Sequence, residues 1–310
     1  MEHEIDLKLE TNGASQSSGR LSEADLEYAR SFAGKIDLTN KTMVLQYGLE
    51  AERKVRRLSE SLHLNIPEYD LNEIESLLRK LLVQLSAFEI SVRADQSRSA
   101  EAAAAAFRRA YDSFNSKLTE CARRLEILRS ALLRHVERLN GCSEDYLMII
   151  REYDLYLYAG QVCLAEQSGS GMAELLTRAE ESGFAEDRVR AEQFAEDLRL
   201  FSRKLHDLSV SRQLPVQMTA HLRMIQSADI VMAENLRRLI MNVFPLYRSQ
   251  IALAIGRSSD RPVDMELFSD AGQALKEAAV SVLKEEEATR AAQKRSVSLF
   301  GRSGKETGSK

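Results

Sequence analysis

The stretch LTECARRLEILRSALLRHVERLNGCSEDYLMIIREYDLYLYAGQVC, residues 118–163, decides the fold. Leu118, Leu125, Leu132, Leu139, Tyr146 and Tyr153 recur every seven residues. A second row, three positions behind, holds Cys121, Leu128, His135, Cys142, Ile149, Tyr156 and Cys163. Heptad rows of this kind lie on one face of an α-helix. Asn140-Gly141 is normally a turn signal. The phase of both rows nevertheless holds across it, so the spacing predicts one helix, continuous or kinked, from about Ser99 to Gln167.

Composition points the same way. The chain has 310 residues with four prolines, fourteen glycines and no tryptophan, too few breakers for a sheet protein rich in turns. Its net charge of −4, from 43 basic and 47 acidic residues, gives no basic excess of the kind nucleic-acid binding needs. The first twenty residues are polar and lack the apolar stretch of a secretory signal. No apolar run reaches the roughly 18 residues of a membrane span. Three cysteines without a signal fit a reduced, cytoplasmic protein.

Working outward from the ladder, residues 1–20 read as a disordered N-terminus and 21–90 as N-terminal helices. Among the latter, one is N-capped by Ser22, one spans about Thr39 to His63, and one spans Leu71 to Ile90. Residues 91–256 read as the long-helix core, 257–293 as a C-terminal helix and 294–310 as a disordered tail. Ser168–Gly171 reads as a loop and Met172–Ser182 as a short helix. A further helix runs to Leu214, with Pro215 breaking or kinking the chain. A second seam then advances in steps of four and three: Met218, Leu222, Ile225, Asp229, Met232, Leu236, Leu239, Val243, Leu246, Gln250 and Leu253. Pro245 should kink it. The fold expected is all-α, an elongated bundle of long helices with coiled-coil-like heptad packing.

The tempting side chains compete with plain packing. Cys121, Cys142 and Cys163 lie three heptads apart, on the order of 30 Å along one helix, too far for a shared metal or a disulfide. At seam positions each reads as a small hydrophobe rather than a redox centre. His135, Asp229 and Gln250 interrupt the seams and read as polar residues that set helix pairing, with a ligand pocket as the sharper alternative. No Walker A loop, GxGxxG, nucleophile elbow, CxxC or HExxH occurs. No catalytic residue, metal or cofactor is therefore expected. The densest polar group is Arg203, His206, Asp207 and Arg212, followed across Pro215 by Gln217, Arg223 and Gln226. These are the candidate contacts for an oxyanion or a protein partner. A solvated face with interhelical ion pairs is the alternative. The basic tail around Leu299-Phe300 reads as solubilising, with a weak contact to anionic lipid as the alternative.

One resemblance accompanies this reading. Lys204-Leu205-His206-Asp207-Leu208, Arg212, Gln217, Leu222-Arg223-Met224-Ile225-Gln226, Phe244-Pro245-Leu246-Tyr247 and Gln250-Ile251-Ala252-Leu253 stand in order without gaps. Upstream stand Tyr47-Gly48, Lys54, Ser59 and Tyr158-Ala159-Gly160. Together they resemble the TelA/KlaA family of toxic-anion-resistance proteins, associated with tellurite resistance in bacteria. The resemblance covers about residues 40–290. It departs at Ala220, where the family usually has proline, and at Tyr247, where it usually has tryptophan. It implies a cytoplasmic, non-enzymatic helical protein of stress resistance associated with the envelope, membrane-peripheral at most. Independently of the resemblance, the helical seams can pair with a protein partner or a second copy, and the balanced charge argues against nucleic acid.

Overall fold

The computed structural model describes residues 21–64, 69–94, 100–256 and 263–306. The disordered segment expected over 1–20 lies outside them. Among the described residues all regular structure is helical. The helices are α1 (Glu23–Ala33), α2 (Lys41–Gln46), α3 (Leu49–Leu64), α4 (Leu71–Ala94), α5 (Ala100–Glu166), α6 (Met172–Ser182), α7 (Ala185–Ser211), α8 (Gln213–Arg238), α9 (Phe244–Gly256) and α10 (Met265–Glu306).

The ladder of the opening stretch is α5, one helix of 67 residues and roughly 100 Å. It passes through Gly141 without a break. Leu118, Leu125, Leu132, Leu139, Tyr146 and Tyr153 are all buried, as are Cys121, Leu128, His135, Ile149 and Cys163 from the second row. Cys142 and Tyr156 are half-buried. Gly141 survives inside the helix because it is exposed and helical neighbours on both sides, rather than a turn, fix its backbone.

Several expected boundaries shift. The single helix expected from Thr39 to His63 is two, α2 and α3, divided at Tyr47-Gly48. Gly48 has φ 72°, a left-handed backbone that favours glycine. The loop expected at Ser168–Gly171 is instead a π-helical turn, Gln167–Gly171, that carries α5 directly into α6. Pro215 sits in the first turn of α8, where its missing N–H is no loss. The single residue between α7 and α8, Arg212, keeps a right-handed helical backbone, φ −60° and ψ −26°. α10 continues to Glu306, past Lys294, through a run of alanine, lysine and arginine that contains no proline.

The largest correction concerns the second seam. Met218, Leu222, Ile225, Asp229, Met232, Leu236 and Leu239 are buried as expected. Beyond them the core is lined by Phe244, Tyr247, Ile251 and Ala254, while Leu246 and Leu253 are 55% and 56% exposed. The cause is a π-helical turn at Leu239–Val243 between α8 and α9. Pro245 has no N–H to donate, and its ring crowds the carbonyl one turn back. The widened turn relieves this and moves every later side chain by one position.

The chain divides into two compact units that are interleaved in sequence. One comprises Met1–Asn65 and Cys142–Ala220; the other comprises Ile66–Gly141 and His221–Lys310. In the first, Ser22 caps α1 in a reciprocal box with Asp25. Asp25 also receives Arg151 of α5 at 2.7 Å, and that guanidinium holds its carboxyl down at about 2. In the second, Phe88 of α4 stacks on Phe114 of α5 at 5.3 Å and meets Phe107 and Phe268 edge-on. Arg290 of α10 reaches Glu286, Glu75 and Asn72, tying α10 to α4.

Candidate functional site

Of the expected polar group, Arg203, His206, Asp207, Arg212 and Gln217 belong to the first of the two units, and Arg223 and Gln226 to the second. Arg203, His206 and Asp207 lie exposed on α7, and Gln217 and Arg223 lie exposed on α8. Arg212 is half-buried and commits its Nε and Nη2 to the two carboxylate oxygens of Asp154, at 2.6 and 3.2 Å. Gln226, buried, donates from Nε2 to Asn140 Oδ1 at 2.7 Å. Arg212 and Gln226 are thus engaged with partners of the fold. Arg203, His206 and Asp207 share a helix face open to solvent.

The residues that do converge belong to a junction of α3, α5 and α7 in the first unit. Gly48 and Gly160 form its floor. A Cβ on Gly48 would lie 2.5 Å from Leu208 Cδ1, and one on Gly160 would overlap Leu205. Two leucines one turn apart on α7 therefore lodge against two glycines. Around them the Tyr47 hydroxyl donates to the Tyr156 carbonyl at 2.7 Å, and the Tyr47 ring meets Phe201 and Tyr156 edge-on at 5.1 and 5.3 Å. Burial pushes the Tyr47 phenol well up. Lys54 of α3 pairs with Glu152 at 2.7 Å, a contact that raises the ammonium. Ser59 and Tyr146 share a hydrogen bond of 3.0 Å. Lys204 lies 3.6 Å from Glu52. At the centre Asp154, 1% exposed, is the carboxylate that Arg212 neutralises.

The second unit has its own buried polar group. Asp229 accepts from the Tyr69 hydroxyl at 2.8 Å and shares a 2.7 Å hydrogen bond with His135 Nδ1. Tyr69 and His135 meet edge-on at 5.4 Å. Two polar interruptions of different seams thus meet each other, as the pairing reading expects. Gln250, the third, is half-buried.

The thiols are packed. Burial pushes Cys121 up to about 12 and Cys163 up to about 11, so at neutral pH both are almost wholly protonated and poor nucleophiles. Among the described residues no three His, Cys, Asp or Glu side chains gather to hold a metal ion. Among them, too, no helix is long and apolar enough to cross a membrane.

Sequence reasoning passed over Asp154, Glu152 and Tyr69. Asp154 had a signal: it is the lone acid in the run Tyr153–Gly160. Tyr69 follows Pro67 outside any periodic segment and had none.

The geometry defines a class: an all-helical protein whose deepest charges serve to pair its own helices. The model of the family described as toxic anion resistance protein (TelA) matches residues 29–296, and the chain belongs to that family. It is 24% identical over 259 residues to an uncharacterized protein of Listeria monocytogenes, covering 79% of this chain and 64% of that one. It is 26% identical over 249 residues to the uncharacterized protein YaaN of Bacillus subtilis, covering 76% and 63%. A TelA-like protein of Staphylococcus epidermidis is 24% identical over 291 residues, covering 86% and 76%. The chain therefore spans a little under two thirds of the length of the first two relatives. No solved structure matches it.

Proposed function

We propose that this chain supports resistance to tellurite or another toxic anion as a cytoplasmic, non-enzymatic adaptor, acting on the cell envelope or on a partner complex through its helix surfaces. The observation that carries the reading is the family match over residues 29–296. An adaptor is favoured over a direct oxyanion binder by the state of Arg212. The most deeply placed cation of the candidate set, it already spends its bidentate face on Asp154. An incoming oxyanion would have to displace a carboxylate and leave it buried, which costs several kcal/mol.

The test is survival of a strain lacking the protein, on tellurite and on envelope-active antibiotics. Sensitisation to either is expected; unchanged survival on both removes the proposal. Calorimetry of the purified protein with tellurite separates the two mechanisms. An adaptor gives no binding heat, whereas a binder gives heat that Arg203→Gln or His206→Gln abolishes.

A further inference from the structure

α4 carries two rows of residues, each advancing in steps of three and four. The inner row runs from Leu71 through Leu78 and Leu85 to Val92, is at most 7% exposed, and fills the core of the second unit. The outer row is Ser76, Lys80, Val83, Ala87, Ile90 and Ala94, on the opposite side of the helix and exposed throughout. Val83 and Ile90 are 70% and 69% exposed. Single exposed apolar residues are ordinary. Here Val83, Ala87, Ile90 and Ala94 keep the four-three spacing by which one helix receives another.

The unpaired charges beside this row are positive. α4 has three acids, and all are spent on neighbouring residues of the fold: Glu73 on Arg124, Glu75 on Arg79 and Arg290, and Glu89 on Lys276. Lys80 and Arg93 are exposed and form no ion pair among the described residues. The Glu73–Arg124 pair also fixes the antiparallel register of α4 and α5. Seven residues on along α4 is Lys80, and seven back along α5 is Lys117, so the two cations stand level. Lys117 too is exposed and forms no ion pair among the described residues. On α10, Glu277 accepts from Gln273, while Lys284 and Glu287, one turn apart, offset each other. We propose that the outer row of α4 docks an amphipathic helix of a partner protein, one whose apolar seam is flanked by aspartate and glutamate. Val83 and Ile90 supply the contact, and Lys80, Arg93 and Lys117 select the sign of the flanks.

From residue 76 to residue 94 the row spans about 27 Å, or roughly three heptads, at 1.5 Å per residue. Its apolar members occupy little more than half of that length. The docking is accordingly reversible, and charge supplies a large share of its specificity. The inference rests on the reading that this protein works through its helix surfaces, and it names the chemistry of the partner that one of them takes.

Fluorescence anisotropy of the full chain with two labelled synthetic helices, each of about three heptads, tests it. Both carry leucine on the seam; one carries glutamate and the other lysine at the flanking positions. The glutamate helix should bind, and the lysine helix should bind about tenfold more weakly or worse. Val83→Gln together with Ile90→Gln should weaken the glutamate helix about tenfold or more. Lys80→Glu together with Lys117→Glu should invert the preference between the two helices. Far-ultraviolet circular dichroism confirms that each variant keeps its helix content. No binding of the glutamate helix, equal binding of both helices, or indifference to either pair of substitutions overturns the proposal. So does a dimer in sedimentation equilibrium that Val83→Gln with Ile90→Gln dissolves, since a second copy then holds the face. Neither a toxic anion nor a cell enters the measurement. A chain that fails to bind while its loss still sensitises cells therefore removes this inference and leaves the resistance reading standing.

Discussion

Two residues hold opposite positions in the same accounting of polar groups. Asp154 is buried with its charge met by the Arg212 fork at 2.6 Å. Removing one partner strands the other, and a stranded buried carboxylate costs about 3–5 kcal/mol. Arg212→Ala should therefore lower stability by that order in urea denaturation, while Arg203→Ala, on the exposed face of α7, should change it by less than about 0.5 kcal/mol. Tyr247 is the reverse case. It is 1% exposed, and its hydroxyl finds no hydrogen-bond partner among the described residues. Tyr247→Phe deletes an unsatisfied buried group and keeps the ring that meets Phe114 edge-on at 5.7 Å. Stability should hold or rise, by up to about 1–3 kcal/mol, in the same assay. A clear loss would mean that the hydroxyl has a partner after all.

At the scale of elements, the π-turn at Leu239–Val243 decides which residues are core. Steps of four and three through Leu246 and Leu253 describe an α-helix that keeps its register past a kink at Pro245. The structure makes one step of five, from Leu239 to Phe244. Ile251→Ala should cost about 2–5 kcal/mol, whereas Leu253→Gln should cost under about 0.5 kcal/mol. The α-register requires the opposite order, so a denaturation curve for each variant settles the phase. This also marks how far the sequence was legible. Helix class, the unbroken α5 and its two rows followed from periodicity, because burial of one face leaves a period in the chain. The π-turns did not, because one extra residue is hidden when both registers offer leucines. The junction of α3, α5 and α7 was half-visible. Gly48, Gly160, Lys54 and Ser59 stood out as motif residues, but contacts such as that of Lys54 with Glu152, 98 positions away, leave no local trace. Of the polar group from Arg203 to Gln226, Arg212 and Gln226 are taken up by Asp154 and Asn140, partners 58 and 86 positions away that leave no local trace either.

For the whole molecule, buried groups that must stay protonated are spread through both units. Cys121 moves from 9.0 to about 12 and Cys163 from 9.0 to about 11, and burial raises the phenols of Tyr47, Tyr153 and Tyr247 as well. In every case the folded value lies above the unfolded one. Stability is then full below the unfolded value and is lost as pH rises from there towards the folded value. The urea midpoint should be steady from neutral pH to about 9 and fall steeply above it. A flat midpoint to pH 11 would contradict the burial of these groups. Finally, the border between the units is crossed at 65/66, 141/142 and 220/221, and the last two crossings fall inside α5 and α8. Neither unit is one contiguous piece of coding sequence. Gene rearrangement can pass on a contiguous domain as a module, but here no single cut leaves one whole unit on each side. The two units are bound to be inherited, duplicated or lost together.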